Sequence, residues 1–127
     1  EDKILSKPLI SKYKGLLTLS YSTEENSWLF DTSILLNGDG RVPSTKQNPA
    51  EYQRAETFPA YLTINAQITK RIEIVDLYLG VENLTNYKQT NPIIASNDPF
   101  GNYFDASMIW GPIDGAKFYF GLRMSVL

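Results

Sequence analysis

The chain has 127 residues, of which 12 are basic and 14 acidic, and a net charge of −2. This balance argues against binding to nucleic acid, which requires a concentrated basic patch. The sequence has no cysteine, hence no disulfide framework and no thiolate metal site, and no histidine, the commonest general base and metal ligand. We therefore expect neither an enzyme nor a protein that depends on a metal or a cofactor.

Alternation of apolar and polar residues predicts strands, because successive side chains of a strand point to opposite faces of its sheet. The predicted strands cover residues 14–22, 27–37, 60–70, 74–84 and 116–127. In the last of these, apolar side chains occupy every second position: Phe118, Phe120, Leu122, Met124 and Val126. Each segment therefore has one apolar face and one polar face.

The connections between these strands alternate in length. Short turns near residues 23–26 and 71–73 are followed by long stretches at 38–57 and 85–115. Transmembrane barrels of the outer membrane have short periplasmic turns and long outer loops, whereas long loops without structure are uncommon in compact soluble domains. The pattern therefore favours a barrel whose two long loops lie outside the cell.

The predicted fold class is all-β, with antiparallel transmembrane β-barrel strands. Five strands are too few to close such a barrel, for which about eight is the smallest number. An open sheet edge cannot lie in lipid, so we expect these strands to be the last part of a larger barrel. The alternative is a soluble sheet with one face on a core, since antiparallel sheets with one wet face show the same alternation.

The two faces of the predicted strands suit different surroundings. Side chains such as Asn65 and Gln67 suit a hydrated barrel interior, while the apolar side chains suit lipid. Tyr21 and Trp28 flank the first short turn, where an interfacial aromatic girdle would lie. On this interpretation outer-membrane lipid is a partner of the apolar face.

The last strand ends in the pattern Tyr119-x-Gly121-x-x-Met124-x-Val126. This pattern resembles the β-signal of outer-membrane proteins, which the barrel assembly machinery recognises, and its chemistry fits pairing by strand addition. Gly121 needs a separate reason, because a glycine in mid-strand weakens the strand and packs nothing. We expect either the close approach of another group or strong local curvature.

A broader resemblance covers residues 58–127. The segments "DLYLGVENLTNYKQTNPI" and "NDPFGNYFDASMIWGPIDGAKFYFGLR" resemble the carboxyl-terminal region of TonB-dependent outer-membrane receptors. The resemblance lies in the glycine and "ENLTN" that end the penultimate strand, in the long final loop and in the closing "FYFGLR". Residues 14–37 match only in character.

The resemblance implies a barrel of about 22 strands, located in the bacterial cell outer membrane and plugged by an amino-terminal domain. Such receptors import scarce ligands, such as iron chelates, cobalamin or glycans, with energy passed on by TonB. The plug and the segment that contacts TonB are not among these residues, so both would be partners supplied by the rest of the receptor. The alternative function is that of a soluble all-β ligand- or carbohydrate-binding domain.

The second long loop carries the candidate ligand contacts of the chain. These outer-loop candidates are Asn91, Asp98, Tyr103, Asp105 and Trp110. The oxygen-rich stretch "SNDPFGNYFD" lacks the ligand spacing of a known calcium loop, so we expect a solvated turn there. Tyr103 and Trp110 could stack on a ligand, but we favour packing of the loop, since so many aromatic side chains require burial.

Overall fold

The computed structural model describes residues 4–5 and 7–126, and the regular structure of these residues is all-β. Seven strands and one 3-10 turn at Ala50–Tyr52 make up the described regular structure. The strands are β1 (Lys14–Ser22), β2 (Trp28–Asn37), β3 (Gly40–Arg41), β4 (Thr57–Phe58), β5 (Tyr61–Ile72), β6 (Val75–Glu82) and β7 (Lys117–Met124). The predicted all-β class with antiparallel sheets is confirmed.

The long strands form a five-stranded sheet in the order β1-β2-β5-β6-β7. They lie close to the strands that the alternation predicts, with differences at the ends. β5 continues to Ile72, which pairs with Val75 across a turn that holds Glu73 at φ 52°. β6 ends at Glu82 because Asn83 adopts a left-handed conformation, with φ 55°. The predicted last residue of β7, Leu127, lies outside the described residues.

The chain divides into two compact units. The sheet unit contains residues 15–36, 62–87 and 114–126, which include nearly all of the five-stranded sheet. The loop unit contains residues 37–61 and 88–113 together with the described residues up to 14. Most of both long connections therefore belongs to a unit of its own.

The loop unit contains regular pairing that the alternation does not reveal. β3 and β4 form a small antiparallel sheet, in which Gly40 pairs with Phe58 and Arg41 with Thr57. Pro8 and Ser11 add isolated bridges to Arg41 and Gly40. Strands of two residues are too short to show a period, which is why the sequence indicates only a polar loop here.

The most deeply buried apolar side chains of the described chain lie in the loop unit. Phe58 is 2% exposed and Ile94 is 1% exposed. The Phe58 ring stacks on Trp110 with 4.9 Å between ring centroids, and it lies where a Cβ at Gly40 would be. A glycine at position 40 is therefore needed for the ring to reach this position, and the two long connections share one small core.

We expect Phe58→Ala to loosen the loop unit, because removal of a buried phenyl ring costs about 3–5 kcal/mol. Hydrogen exchange measures the effect at the Val42 amide, which donates to the Glu56 carbonyl at 2.7 Å. Phe100→Ala is the matched control, since Phe100 is 99% exposed. Equal exchange at Val42 in both variants would contradict a core built on Phe58.

Candidate functional site

One face of the five-stranded sheet, which we call the apolar face, carries most of the sheet's apolar side chains. The register places Val81 beside Phe118, Leu79 beside Phe120 and Leu77 beside Leu122. Its members are Leu17, Leu19 and Tyr21 on β1, Trp28, Phe30, Thr32, Ile34 and Leu36 on β2, Leu62, Ile64, Ala66, Ile68, Lys70 and Ile72 on β5, Val75, Leu77, Leu79 and Val81 on β6, and Phe118, Phe120, Leu122 and Met124 on β7.

The apolar face is largely open to its surroundings. Phe118 and Phe120, which lie on the outer strand β7, are 75% and 74% exposed. Leu79, which pairs with Phe120, is 55% exposed. Large exposed apolar patches are uncommon on monomeric soluble proteins, and many of them are sites of interaction with a membrane or with another protein.

The opposite face, which we call the polar face, is the better packed of the two. Its cross-strand rows place Gln67 beside Gly80 and Tyr119, and Thr69 beside Tyr78 and Gly121. The Tyr119 hydroxyl donates to Gln67 Oε1 at 2.9 Å, and Gln67 Nε2 donates to Thr69 Oγ1 at 3.1 Å. Thr69 is only 6% exposed. Polar side chains on this face therefore shield one another, while large apolar side chains on the other face, such as Leu79 and Ile68, stay exposed.

A polar cleft opens on this face beside Tyr119. It has a volume of about 240 Å³ and is lined by Asp31, Ser33, Asn65, Ala66, Gln67 and Tyr119. Ser20 donates to Asp31 Oδ1 at 2.7 Å, so the carboxylate already accepts one bond. The cleft offers hydroxyl, amide and carboxylate groups, which suit water or a polar ligand.

Two tyrosines lie over two glycines on the polar face. A Cβ added at Gly121 would collide with the Tyr78 ring, and one added at Gly80 would collide with the Tyr119 ring. These are the cross-strand partners of the glycines, and the two rings contact each other with 6.3 Å between centroids. The close approach expected at Gly121 is therefore the Tyr78 ring, an aromatic side chain that covers the glycine of the neighbouring strand.

A row of charged side chains lies on the polar face next to the tyrosines, near the end of the sheet that has the short turns. Arg71 Nε lies 2.9 Å from Asp76 Oδ1, and the two residues are directly paired between β5 and β6. Arg123 pairs with Asp76 on the other side and lies over the Tyr78 ring, 5.8 Å from its centroid. The row alternates basic, acidic and basic charge, which avoids like charges directly opposite each other.

Both outer strands of the sheet have an open edge. Among the described residues, β1 has only β2 as a neighbour in the sheet, and β7 has only β6. Backbone groups along these two edges are available for pairing with another strand.

The residues of the predicted β-signal divide between the two faces. Tyr119 and Gly121 lie on the polar face, and Met124 lies on the apolar face beside Val75. Val126 follows the end of β7 and is 81% exposed, while Ser125 N donates to the Ile74 carbonyl at 2.8 Å. The pattern therefore presents a backbone edge together with apolar side chains at the end of the sheet.

The loop candidates have different surroundings. Asn91 adopts a left-handed conformation with φ 48°. Asp98 lies at the start of a turn in which its carbonyl accepts from Gly101 N at 3.0 Å. Tyr103 is 43% exposed, and its ring lies 5.8 Å from that of Tyr52.

The other two loop candidates take part in the packing of the loop unit. Asp105 Oδ1 accepts from the Ser107 amide at 2.7 Å, and the Asp105 backbone forms a bridge with Ile94. Trp110 stacks on Phe58, and its carbonyl accepts from the Tyr61 hydroxyl at 3.2 Å. Of the five candidates, Asn91, Asp98 and Tyr103 are exposed, while Asp105 and Trp110 are partly buried in this packing.

Gln89 has an organising role that the sequence analysis does not identify. Gln89 is only 8% exposed. Oε1 accepts from the amides of Trp110 and Gly111 at 3.0 and 3.2 Å, and Nε2 donates to the Met108 carbonyl at 2.9 Å. No local pattern reveals this role, because the partners lie about 20 residues away in the chain.

Asn83 organises the end of β6 in the sheet unit. Its Oδ1 accepts from the Tyr87 amide at 3.1 Å, and its Nδ2 donates to the Tyr87 carbonyl at 2.7 Å. Its own amide donates to Asn65 Oδ1 at 3.0 Å. The asparagine-rich segment "ENLTN" is the sequence feature that indicates this role. Asparagine tolerates the left-handed region, and its side chain forms hydrogen bonds with nearby backbone groups.

Two ionisable groups outside the long strands have shifted pKa values. The Lys12 ammonium donates to Asp39 at 2.9 Å and lowers the pKa of that carboxyl. Burial raises the pKa of the Tyr87 phenol. The described residues contain no cluster of three or more acidic side chains that could hold a metal ion.

No helix in the described part of the chain is long and apolar enough to cross a membrane.

Comparisons with protein-family models, with curated proteins and with solved structures find no match to this chain.

We expect Gly121→Val to destabilise the sheet by about 1–3 kcal/mol, because the new side chain would meet the Tyr78 ring in a packed row. The urea midpoint of unfolding of the complete protein measures the loss. Gly15→Val is the control, since a Cβ there meets only Leu36 Cβ at 3.9 Å. Tyr78→Ala in the Gly121→Val background should recover part of the loss, and purely additive effects would contradict the overlap.

Proposed function

We propose that this chain forms the last five strands of a TonB-dependent receptor barrel in the bacterial outer membrane. The receptor takes up a scarce ligand, such as an iron chelate, cobalamin or a glycan, with energy passed on by TonB. In this proposal the sheet unit is barrel wall, the long connections are outer loops and β7 is the closing strand. The plug and the TonB-contacting segment belong to the remainder of the receptor.

The observation that carries the proposal is that the apolar face of the sheet is exposed, while the polar face is the more buried one. On the inner strands, Leu79 and Ile68 of the apolar face are 55% and 43% exposed, while Thr69 and Asp76 of the polar face are 6% and 9% exposed. In water this arrangement is costly, since apolar surface contributes roughly 25 cal/mol per Å² when it is buried. In a barrel wall it is favourable, because lipid covers the apolar side and the hydrated interior takes the polar side.

The dimensions of the strands support the same proposal. β5 has 12 residues, which at about 3.3 Å each give about 40 Å of strand. A strand tilted by about 40° then covers about 30 Å along the membrane normal, the thickness of a hydrocarbon core. Tyr21 and Trp28 lie near the short-turn end of the apolar face, where an aromatic girdle belongs.

The open edges support a larger barrel. Unpaired backbone N–H and C=O groups cost several kcal/mol each in lipid, so β1 and β7 require further strands beside them. On the proposal, β1 pairs with the preceding strand of the receptor and β7 with its first strand. The barrel assembly machinery pairs with β7 during insertion, through the edge that carries Tyr119 and Gly121.

The soluble alternative needs a second layer over the apolar face. The described residues of the sheet unit form only a single layer, and the polar cleft beside Tyr119 lies on the opposite face. A soluble binding domain would thus require a partner over about 20 apolar positions. The lipid-facing role needs no additional protein layer, and we favour it.

We expect Leu79→Arg to reduce insertion of the full-length receptor, because arginine at mid-membrane on a lipid face costs about 2–4 kcal/mol. Leu62→Arg and Leu122→Arg should also reduce insertion, but by less, because both positions lie nearer the ends of the sheet, where the cost of a charge is smaller. Heat-modifiability on gels measures the folded fraction, since a folded barrel migrates differently from an unfolded one.

The matched controls for the arginine series are Gln67→Arg and Thr63→Arg, which place the same side chain on the polar face. Both should be milder, because the hydrated interior solvates the charge. If the two sets lose insertion equally, the proposed facing of the sheet is wrong.

We also expect the double change Met124→Asp and Val126→Asp to slow assembly of the full-length receptor, with unassembled protein accumulating in the periplasm. The carboxylates would disturb both the lipid-facing end of β7 and its recognition by strand addition. Pulse-chase labelling measures the rate, and Ser125→Asp on the intervening position is the control. If the double variant assembles at the wild-type rate, β7 is a barrel strand like the others and has no special role in assembly.

A further inference from the structure

Lys70 is an exception on the apolar face. Among the described strand residues that belong to this face, it is the only one with a charged side chain. Its cross-strand partner on β6 is Leu77. A cation surrounded by apolar neighbours is costly unless its charge is compensated, so this lysine requires an explanation.

Among the residues that the structure describes, Lys70 has an aromatic neighbour but no carboxylate within salt-bridge distance. Lys70 Nζ lies 4.6 Å from the centroid of the Trp28 ring, which is a cation–π contact. The salt bridges of the described residues involve Lys12, Lys46, Arg71 and Lys117, and none of them involves Lys70. The half-buried stem of Lys70 packs on the sheet while its charge remains to be neutralised.

The position along the sheet is also informative. Lys70 lies two residues before the end of β5, and Trp28 is the first residue of β2. Arg71 N donates to the Ser27 carbonyl at 2.8 Å, which fixes β2 and β5 side by side at this level. The pair therefore lies near the short-turn end of the sheet, at one border of the apolar face.

An apolar groove begins at this pair and continues along the sheet. It has a volume of about 220 Å³ and is lined mainly by Trp28, Ile68, Lys70, Leu77, Leu79 and Phe120. A lysine and an indole at one end of a hydrocarbon-lined groove match an amphiphile with an anionic head and an apolar chain.

We propose that Lys70 and Trp28 bind the phosphate of a glycerophospholipid, one of whose acyl chains occupies this groove. The Lys70 ammonium donates to a phosphate oxygen, and the neighbouring Trp28 indole carries a second N–H donor. The lipid compensates the charge that the protein leaves unpaired on the apolar face. This proposal rests on the proposed membrane location and adds a defined lipid site to it.

The test uses the full-length receptor in vesicles that contain a phosphatidylglycerol with a photoactivatable group in one acyl chain. A diacylglycerol with the same photoactivatable chain is the comparison lipid, since it lacks only the phosphate headgroup. Peptide mass spectrometry locates the labelled residues. We expect phosphatidylglycerol to label the groove residues of β2, β5 and β6 about fivefold more than diacylglycerol, because one basic side chain near a lipid surface contributes about 1 kcal/mol.

Lys70→Met keeps an unbranched apolar stem beside Trp28 and should abolish the preference for phosphatidylglycerol. Lys70→Arg should retain it. Lys88→Met is the matched control, because Lys88 is an exposed lysine in the second long connection, and this variant should retain the wild-type ratio.

The outcomes separate the two proposals. Equal labelling of the groove by both lipids, or an unchanged preference in Lys70→Met, would overturn the lipid site and leave the membrane-facing sheet intact. Absence of labelling by either lipid anywhere on the apolar face would overturn the membrane location, and the lipid site with it.

Discussion

The register between β5, β6 and β7 is the constraint on which the rest of the structure depends. A slip of one residue would move every side chain of a strand to the opposite face. The observed register keeps Leu79 beside Phe120 on one side and Tyr78 beside Gly121 on the other. The Tyr–Gly contacts make this register specific, since each ring fits only over a residue without a Cβ.

The same register creates two surfaces with opposite requirements. On the polar face, Gln67, Tyr119 and Thr69 satisfy one another through hydrogen bonds. On the apolar face, large side chains such as Phe118 remain exposed. A sheet of this kind is suited to a position between two media, and the proposed barrel wall supplies lipid on one side and water on the other. In such a barrel, the open edges of β1 and β7 would pair with neighbouring strands.

Order in the long connections has a different physical basis. Gln89 and Asn83 bond backbone groups that no strand partner satisfies, and the Phe58–Trp110 stack supplies apolar burial. Buried amides of this kind hold a loop in one conformation because each loses water on folding and must regain its bonds. Side chains that lie outside this packing, such as Asp98 and Tyr103, remain exposed, and exposed loop side chains on a rigid scaffold are often the ones that carry recognition.

The sequence by itself determined the class of the fold, the approximate extent of the long strands and the two faces, because a period of two records which side of a sheet each residue occupies. It also indicated that Gly121 has either a close neighbour or strong local curvature. Only the tertiary structure decided that this neighbour is Tyr78, that Gly40 and Phe58 belong to one small sheet, and that Gln89 reaches Trp110. These contacts join residues from 18 to 43 positions apart, and local alternation contains no information about which distant strand or loop a residue meets. Lys70 is an example. Its position in the alternation puts it on the apolar face, but only the pairing of β2 with β5 brings Trp28 next to it.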